Sequence, residues 1–330
     1  MMSKIAIDVM GGDYAPYETI KGCIEASKQI KSKLILVGNE AVITEELKKY
    51  TYSSVQITIV NAQEVITMED APVQAIRRKK DSSMVVGLNL VKEKKADAFV
   101  SAGNTGALLA GATLIVGRLK GVERPGLASL IPTDRGFSLL IDCGANADAK
   151  ASYLVQFAHM GTIYMKELMG ITSPTIGLVN IGVEEEKGNT MTKEAYGLLN
   201  QADLNFIGNI EARDIPMGQS DVLVCDGFVG NIVLKHMEGF GLWVFKLLKE
   251  ELTKNWIRKI GAFILTPALR NLKSRFDYSE HGGAPLLGLK GLVIKTHGSA
   301  NAKQIQHTIL QADKLARQDV VEKIANNINM

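Results

Sequence analysis

The strongest constraint on the fold is a series of short runs rich in valine, isoleucine and leucine, which alternate with longer stretches of helical character. Such runs are typical of strands buried on both faces, as in a parallel sheet. Their alternation with helices predicts a three-layer α/β fold, in which a doubly wound, mostly parallel sheet lies between helices. The predicted strands are 4–9, 33–38, 56–60, 97–101, 137–142, 175–181, 204–207, 221–225 and 291–295, and the predicted helices include 17–30, 72–95, 105–118, 151–169 and 190–201.

Length, charge and cysteine usage narrow the class of protein. A chain of 330 residues can bury a large core, so we expect a single domain over 1–330, undivided or made of two intimately joined subdomains. The net charge of +3 gives no reason to expect a nucleic-acid partner. The three cysteines lie far apart in apolar surroundings, which predicts reduced thiols of a cytoplasmic protein. The first strand begins too early for a signal peptide, and no apolar run reaches the roughly 18–20 residues of a spanning helix.

One segment, 238–276, departs from the alternation because it is helical in period and contains no predicted strand. Its apolar residues recur every three or four positions and form one face, with basic residues between them. Two interpretations remain open: the face packs on a second subunit, or the segment lies on anionic lipid as a basic amphipathic element. The apolar face consists of Phe245, Leu248, Leu252, Trp256, Ile260 and Phe263.

Loops rich in glycine, asparagine and aspartate follow most of the predicted strands. In doubly wound folds the carboxyl ends of the strands carry the ligand site, so we expect one cleft to collect several of these loops. The chain contains no HExxH, GxSxG, P-loop or dinucleotide-binding motif, which weakens metal, serine-hydrolase and nucleotide-hydrolysing interpretations. The remaining polar groups, with Lys187 in EEEKGN and Asn231 in GFVGN, suit the binding of an oxyanion.

The stretch SAGNTG is a candidate anion site. It predicts a strand, a tight turn at residues 103–106, and a helix start whose free backbone N–H groups attract anions. Structural roles compete with this and the other assignments. Aspartates at strand ends commonly form turns or cap helices, and glycines commonly serve positive φ. Lys187 stands among three glutamates and can be a solvated surface charge, and His297 can serve at a helix start.

Long blocks of the sequence resemble one family, the bacterial phosphate acyltransferases of phospholipid synthesis. The resemblance implies a fold similar to that of isocitrate and isopropylmalate dehydrogenases and of phosphotransacetylases, in a homodimer. It also implies transfer of a fatty acyl group from acyl-acyl-carrier protein to inorganic phosphate, without a cofactor. A peripheral location at the inner face of the cell membrane, and a glycerol-3-phosphate acyltransferase that consumes the acyl phosphate, are implied as well. The blocks are IAIDVMGGDYAP, RRKKDSSM, SAGNTGALLAGA, ERPGLA, DCGANAD, NIGVEEEKGN, GNIEARDIPMGQSDVLVCDGFVGNIVLK and HGGAPLLGLKGLVIKTHGSAN.

The reaction that the resemblance implies suits these polar residues. Phosphate is largely dianionic near neutral pH, and a thiolate with a reference pKa of roughly 8.5 leaves without a strong acid. The protein must therefore place the phosphate and stabilise the charge on the thioester carbonyl oxygen, and we predict that Lys187 and Asn231 stabilise that charge. The predicted phosphate- or substrate-binding residues are Asp8, Gly11, Gly12, Gly103, Asn104, Thr105, Gly106, Asn146, Asp226 and His297. The predicted contacts to carrier protein or membrane are Lys254, Trp256, Arg258, Lys259, Ile260 and Phe263, and no metal site is predicted.

Three other functions remain open. A phosphotransacetylase-like enzyme would use acyl-coenzyme A as donor, so the donor decides between the two enzymes. A scaffold that binds carrier protein and has lost turnover would have no use for so many polar loops. A dehydrogenase is suggested only by analogy of fold, which does not fix function.

Overall fold

The computed structural model describes residues 2–276 and 282–328, with side chains through residue 272 and again from residue 282. Its centre is one continuous sheet of eleven strands in the order β3-β2-β1-β4-β11-β10-β5-β6-β9-β7-β8. The strands are β1 (Lys4–Asp8), β2 (Lys33–Gly38), β3 (Ile57–Asn61), β4 (Ala98–Ser101), β5 (Gly126–Thr133), β6 (Gly136–Ile141), β7 (Ile176–Asn180), β8 (Phe206–Glu211), β9 (Val222–Val224), β10 (Ala284–Leu287) and β11 (Leu292–Lys295).

Helices connect most of the strands and cover both faces of the sheet. They are α1 (Tyr17–Ser27), α2 (Glu40–Leu47), α3 (Pro72–Arg78), α4 (Ser83–Lys92), α5 (Thr105–Gly111), α6 (Ala151–Met169), α7 (Thr190–Gln201), α8 (Gly227–Leu252), α9 (Trp256–Phe276), α10 (Ala302–Arg317) and α11 (Val320–Asn327). A π-helical turn, Ala112–Val116, extends α5, and a 3₁₀ helix, Ala212–Met217, follows β8.

The hydrophobic core is divided by the sheet into two layers. In β1, Ile5 and Ile7 belong to one layer and Ala6 to the other, as the alternation of side chains along a strand requires. The first layer includes buried residues of α1, α6, α7 and α10, and the second includes those of α3, α4 and α5. The structure therefore confirms the predicted fold class, a mostly parallel sheet between two helical layers.

The direction of the strands reverses in the middle of the sheet. Strands β1, β2, β3, β4 and β11 run one way, whereas β6, β7, β8 and β9 run the other way. Strands β10 and β5 make the reversal, because each pairs antiparallel with both of its neighbours. Lys295 at the end of β11 pairs with Ala284, while the far end of β10 pairs Leu287 with Gly126 at the start of β5.

This reversal divides the loops that follow the strands into two sets, each of which collects several of them. The carboxyl ends of β1, β4 and β11 lie at one edge of the sheet, which we call the β4 edge. The carboxyl ends of β6, β7, β8 and β9 lie at the opposite edge, the β9 edge. Strands of four to five residues separate the two edges by about 13–17 Å.

Some elements differ from the sequence predictions for local reasons. The prediction missed β5, whose glycine, serine and proline interrupt its apolar pattern, and the short strand β10. The predicted helix 72–95 is two helices, α3 and α4. Ser82 starts the second one, because its side chain accepts a hydrogen bond from the Val85 N–H as a helix cap.

The segment 238–276 is helical as predicted and forms the outer part of α8 together with α9. Phe245, Leu248 and Leu252 are half-buried, whereas Trp256, Ile260 and Phe263 are exposed. The apolar face is therefore split between a part that is half-covered and a part that faces solvent. Among residues 2–276 and 282–328, no helix is both long and apolar enough to cross a membrane.

Candidate active site

A row of three buried polar side chains crosses the β4 edge: Asp8, Ser101 and Lys295. The Ser101 hydroxyl donates to Asp8 Oδ2 at 2.7 Å. Lys295 Nζ donates to the carbonyl oxygen of Ala102 at 3.2 Å and to that of Thr296. Burial raises the pKa of Asp8 and lowers the pKa of Lys295 to about 8. A carboxyl group and an amine with perturbed pKa values thus lie behind the predicted glycine loops.

Gly11, Gly12 and Gly103 close over this row. A Cβ at Gly11 would lie 2.5 Å from Asp8 Oδ2 and 2.8 Å from the Gly103 nitrogen, so only glycine permits this approach of the loops after β1 and β4. In the same loop after β1, the Asp13 N–H donates to the carbonyl oxygen of Gly298, which lies in the loop after β11, at 2.8 Å. The loops that follow β1, β4 and β11 therefore meet at the β4 edge.

The side chain of Asn104 has a structural role in the turn at 103–106. Its Oδ1 accepts from the Ala107 N–H at 3.0 Å and caps α5. Its Nδ2 donates to three carbonyl oxygens of the loop 67–70 at 3.1 to 3.3 Å. These contacts occupy both ends of the amide that was predicted to bind phosphate. Thr105 and Gly106 form the first residues of α5, which is only seven residues long.

His297 lies at the same edge, in the loop after β11. Its Nδ1 is 2.8 Å from the Ser299 hydroxyl. Partial burial lowers the pKa of His297, because it disfavours the charged imidazolium, and the positive charge of Lys235 lowers this pKa further. Lys235, which pairs with Glu238 at 2.7 Å, stands on α8 and also acts on Lys295. Helix α8 therefore reaches the β4 edge.

At the β9 edge, Asp142 and Asn146 form a closed network. The buried Asp142 carboxylate accepts from the N–H groups of Leu127 and Ala145 at 3.0 Å, and from the N–H and Nδ2 of Asn146 at 2.7 and 2.9 Å. The pKa of Asp142 is raised, because the effect of burial exceeds that of these hydrogen bonds, which lower it. Asn146 Nδ2 donates to the carbonyl oxygen of Pro125 as well, at 2.8 Å. Through these hydrogen bonds, both side chains hold the loop after β6 in place.

Helix α8 begins at this edge and presents Asn231. Asp226 caps the helix, because its Oδ1 accepts from the Val229 N–H at 2.8 Å. Asn231 is exposed on the next turn and lies against Gly144, where a Cβ would be 3.5 Å from the asparagine side chain. Asp226 thus caps the helix, which is the structural role that competed with its predicted role in binding, while Asn231 is exposed.

Lys187 belongs to the loop 181–188, which follows β7 at the β9 edge. Its side chain is exposed, and its stem lies so close to Gly182 that a Cβ there would be 2.9 Å from it. Strands β7 and β9 are parallel neighbours. Lys187 and Asn231 therefore follow adjacent strand ends.

The predicted site residues thus fall into two groups. Lys187, Asn231, Asn146 and Asp226 lie at the β9 edge, and the remaining phosphate- or substrate-binding candidates lie at the β4 edge. The turn at 103–106 and the pair Lys187 and Asn231 thus lie at opposite edges of the sheet within one chain. Helix α8 links the groups, since Lys235 stands one helical turn after Asn231.

Comparison with known proteins identifies the family. The family model described as fatty acid synthesis protein matches residues 3–323, which is nearly the whole chain. The chain belongs to this family. Its relatives include phosphate acyltransferases from Alkaliphilus oremlandii, 52% identical over 99% of this chain and 97% of that protein, and from Clostridium novyi, 51% identical over 98% of each. The resemblance to phosphate acyltransferases, and with it the acyltransferase class, is confirmed at the level of the family.

Solved structures with a similar fold include two phosphotransacylases. A phosphotransacetylase from Streptococcus pyogenes has a TM-score of 0.66 at 19% identity, over 96% of this chain and 94% of that one. A branched-chain phosphotransacylase from Enterococcus faecalis has a TM-score of 0.58 at 15% identity, over 96% and 99% of the two chains. At these identities the likeness shows the fold alone.

Several groups at the two edges were not among the predicted site residues: Ser101, Lys295, Asn180 and Asn209. Each is a polar residue at or near the end of an apolar strand, which is the pattern that selected Asp8 and Asp226. Applied to every strand end, the pattern selects Ser101, Lys295 and Asn180 as well. It could not show which of these side chains are buried. Within the described part of the chain, no cluster of three or more histidine, cysteine, aspartate or glutamate residues is suited to hold a metal ion.

Proposed function

We propose that this member of the family transfers a fatty acyl group from acyl-acyl-carrier protein to inorganic phosphate. The observation that carries the proposal is identity of 51–52% with proteins named phosphate acyltransferase over nearly the full length of both chains. The polar loops at both sheet edges support it, because they offer neutral and cationic hydrogen-bond donors for anions. The acyl phosphate would then serve a glycerol-3-phosphate acyltransferase.

The proposed reaction balances without a redox or nucleotide partner. An oxygen of hydrogen phosphate attacks the thioester carbonyl carbon and forms a tetrahedral oxyanion. When that intermediate collapses, the carbon–sulfur bond breaks and the thiolate leaves with its electron pair. The proton of hydrogen phosphate ends on the released thiol, so the products are acyl phosphate and free carrier protein.

We assign Lys187 and Asn231 to the oxyanion. They follow adjacent strands and both are exposed, so a thioester at the β9 edge can reach them. An aimed donor of this kind contributes on the order of 10²–10³ in rate. The attacking phosphate must contact the same carbonyl carbon, so we place it at the β9 edge too. The glycine loops of the β4 edge are then assigned to a substrate part that lies further from the reacting atoms.

We also propose a homodimer that associates peripherally with the inner face of the cell membrane. The support is the outer part of the helix pair, where Trp256, Ile260 and Phe263 expose 70%, 54% and 81% of their surface. Basic residues accompany them, and Lys254 and Arg258 both pair with Glu251, at 3.1 and 2.6 Å. An apolar face beside basic side chains suits anionic lipid or an acidic carrier protein.

The test is an assay with purified protein, acyl-acyl-carrier protein and phosphate, in which hydroxylamine traps acyl phosphate. Product should form without nucleotide and in the presence of a chelator, and a sample without phosphate corrects for direct reaction of the thioester. Lys187→Ala and Asn231→Ala should each lower the rate by ~10² or more with the fold intact, whereas Lys193→Ala on α7 should not.

Acyl-coenzyme A in place of acyl-carrier protein separates the two donor classes. A higher kcat/KM with acyl-coenzyme A would contradict the proposed donor. A full rate in Lys187→Ala or Asn231→Ala would remove that residue from the mechanism, and a requirement for nucleotide or metal would contradict the mechanism itself.

A further inference from the structure

The loop 181–188, which carries Lys187, has little apolar anchoring. Its two branched apolar side chains, Ile181 and Val183, expose 80% and 61% of their surface. Three consecutive glutamates, 184–186, precede the lysine, and like charges in sequence repel one another. Apolar burial therefore contributes little to holding this loop. Its own backbone supplies one hydrogen bond, from the Lys187 N–H to the Glu184 carbonyl oxygen at 3.2 Å.

Two buried asparagines supply hydrogen bonds to the loop. Asn180 ends β7 and Asn209 stands on the neighbouring strand β8, and they expose 9% and 5% of their surface. Asn180 Nδ2 donates to the Lys187 carbonyl oxygen at 3.1 Å, and Asn209 Nδ2 donates to the Glu184 carbonyl oxygen at 2.8 Å. Each asparagine thus holds a different point of the loop.

The two amides are also joined to each other. Asn180 Nδ2 donates to Asn209 Oδ1 at 3.1 Å, and Asn180 Oδ1 accepts from the Ile181 N–H at 2.9 Å. The chain passes Asn180 again at Gly188, which has φ +94° and where a Cβ would lie 2.5 Å from Asn180 Oδ1. Both ends of the loop are therefore fixed against the same side chain.

We propose that Asn180 and Asn209 are positioning residues, a pair of amides that holds Lys187 in place for the reaction. The proposal rests on the proposed function, in which Lys187 acts on the substrate. Buried amides suit this role because an unsatisfied buried polar group is costly, so the loop is held as long as both carbonyl oxygens are bonded. A displacement of about 1 Å at a reacting group can lower a rate by about 10²-fold.

The Asn209→Asp variant tests the pair with little change of shape. It keeps the oxygen that accepts from Asn180 but replaces the donor to Glu184 with a second oxygen, which repels the carbonyl group. Asn209→Ser removes the reach to Glu184 without adding charge, and it gives the same test if the aspartate variant does not fold. Asn205→Ala is the matched control, because this exposed asparagine lies just before β8, near its other end, and donates to the Ser173 carbonyl oxygen.

The first measurement is the rate at which trypsin cuts the Lys187–Gly188 bond of the full-length protein, followed by mass. Both Asn209 variants should be cut at least about 10-fold faster than the wild type and the Asn205→Ala control, with unchanged far-UV circular dichroism at the assay temperature. An unchanged cutting rate would overturn the proposal. This result does not depend on activity, so it stands even if the role of Lys187 in catalysis is wrong.

The second measurement is kcat and KM in a double-mutant cycle with Lys187→Ala. Asn209→Asp should lower kcat by about 10- to 100-fold, with a small change of KM for phosphate, in the wild-type background. It should have no further effect when Lys187 is already alanine. An equal loss in both backgrounds would show that Asn209 acts by another route and would overturn the proposal. A full rate in Lys187→Ala alone would remove Lys187 from the proposed mechanism, and with it the catalytic part of this proposal.

Discussion

At the scale of single residues, most polar side chains of the candidate site form hydrogen bonds that stabilise the fold. Asp142, Asn146, Asp226 and Asn104 use their oxygens and amides to hold loops and helix starts. Lys187 and Asn231 differ, because both residues are exposed. This division distinguishes groups that shape the site from groups that can meet a substrate.

Lys295 provides a pH-dependent test of the buried row. Its pKa is about 8 in the folded protein against 10.5 ordinarily, so between these values the unfolded chain binds more protons than the folded one. The free energy of unfolding should therefore rise with pH through this window, and the gain is lost as pH falls through 8. The full shift corresponds to at most about 3 kcal/mol. Asp8 and Asp13 oppose the shift, and Lys235 adds to it.

The measurement is urea unfolding of the wild type and of Lys295→Met at pH 7 and pH 10. The stability of the wild type relative to the variant should increase by about 1–3 kcal/mol at the higher pH. Lys290→Met, at an exposed lysine just before β11, is the control and should show no such trend. If the difference in free energy of unfolding between wild type and Lys295→Met were the same at pH 7 and pH 10, the lowered pKa of Lys295 would be contradicted.

At the scale of elements, the helix pair of α8 and α9 presents two different surfaces along its length. The first turns of α8 carry Asn231, which we assigned to the oxyanion, and they pack through Val229 and Val233 on the core. Beyond residue 238 the apolar side chains become largely exposed, and Phe263 exposes 81% of its surface. An exposed apolar face of this size on a helix pair calls for a partner surface.

We predict that Ile260→Glu and Phe263→Glu weaken binding to anionic vesicles at high salt. Apolar insertion persists at 1 M salt, where the Debye length is about 3 Å, whereas charge attraction does not. Vesicle sedimentation at low and high salt measures both parts, and turnover on a soluble donor should change little. The charge control is Lys254→Ala, Arg258→Ala and Lys259→Ala combined, which should raise KM for carrier protein and remove only the salt-sensitive binding.

The same variants distinguish lipid from a second subunit. If the proposed dimer, measured by sedimentation, dissociates in Ile260→Glu or Phe263→Glu, the apolar face is a subunit contact and the lipid interpretation of this face is wrong.

At the scale of the whole molecule, the sheet is continuous across the reversal at β10 and β5. Both halves contribute to one core layer, which contains Ile7 and Leu34 of the first half together with Leu139 and Val224 of the second. A shared core with paired strands between its halves favours one cooperative unit.

Native-state hydrogen exchange with increasing denaturant tests whether the two halves of the sheet unfold together. Amides of β1 and β4 should open with the same free energy as those of β6 and β9, because neither half can lose its pairing without the other. Amides of α9 should exchange at lower free energy, since that helix is largely exposed. Two separate free energies for the two sets of strands would show two subdomains instead.

The sequence by itself determined what depends on local pattern. Apolar runs of strand length identified nine of the eleven strands in the described part of the chain and the α/β class, because burial on both faces demands such runs. The periodicity of 238–276 identified a helical segment without strands. Side chains at strand ends, such as Asp226 before α8, were recognised together with their capping alternative, since caps act within three residues.

Only the tertiary structure decided how the strands are directed and what is buried with what. The reversal at β10 and β5 depends on pairings between residues such as Leu286 and Leu127, which are far apart in the chain. That reversal sends Lys187 and Gly103 to opposite edges, although both follow strands of the same kind. The contact of Asn180 with Asn209, and that of Lys295 with Ala102, are likewise long-range. Local sequence pattern fixes which segments become strands, but the direction of each strand in the sheet follows from the most favourable packing of the whole core.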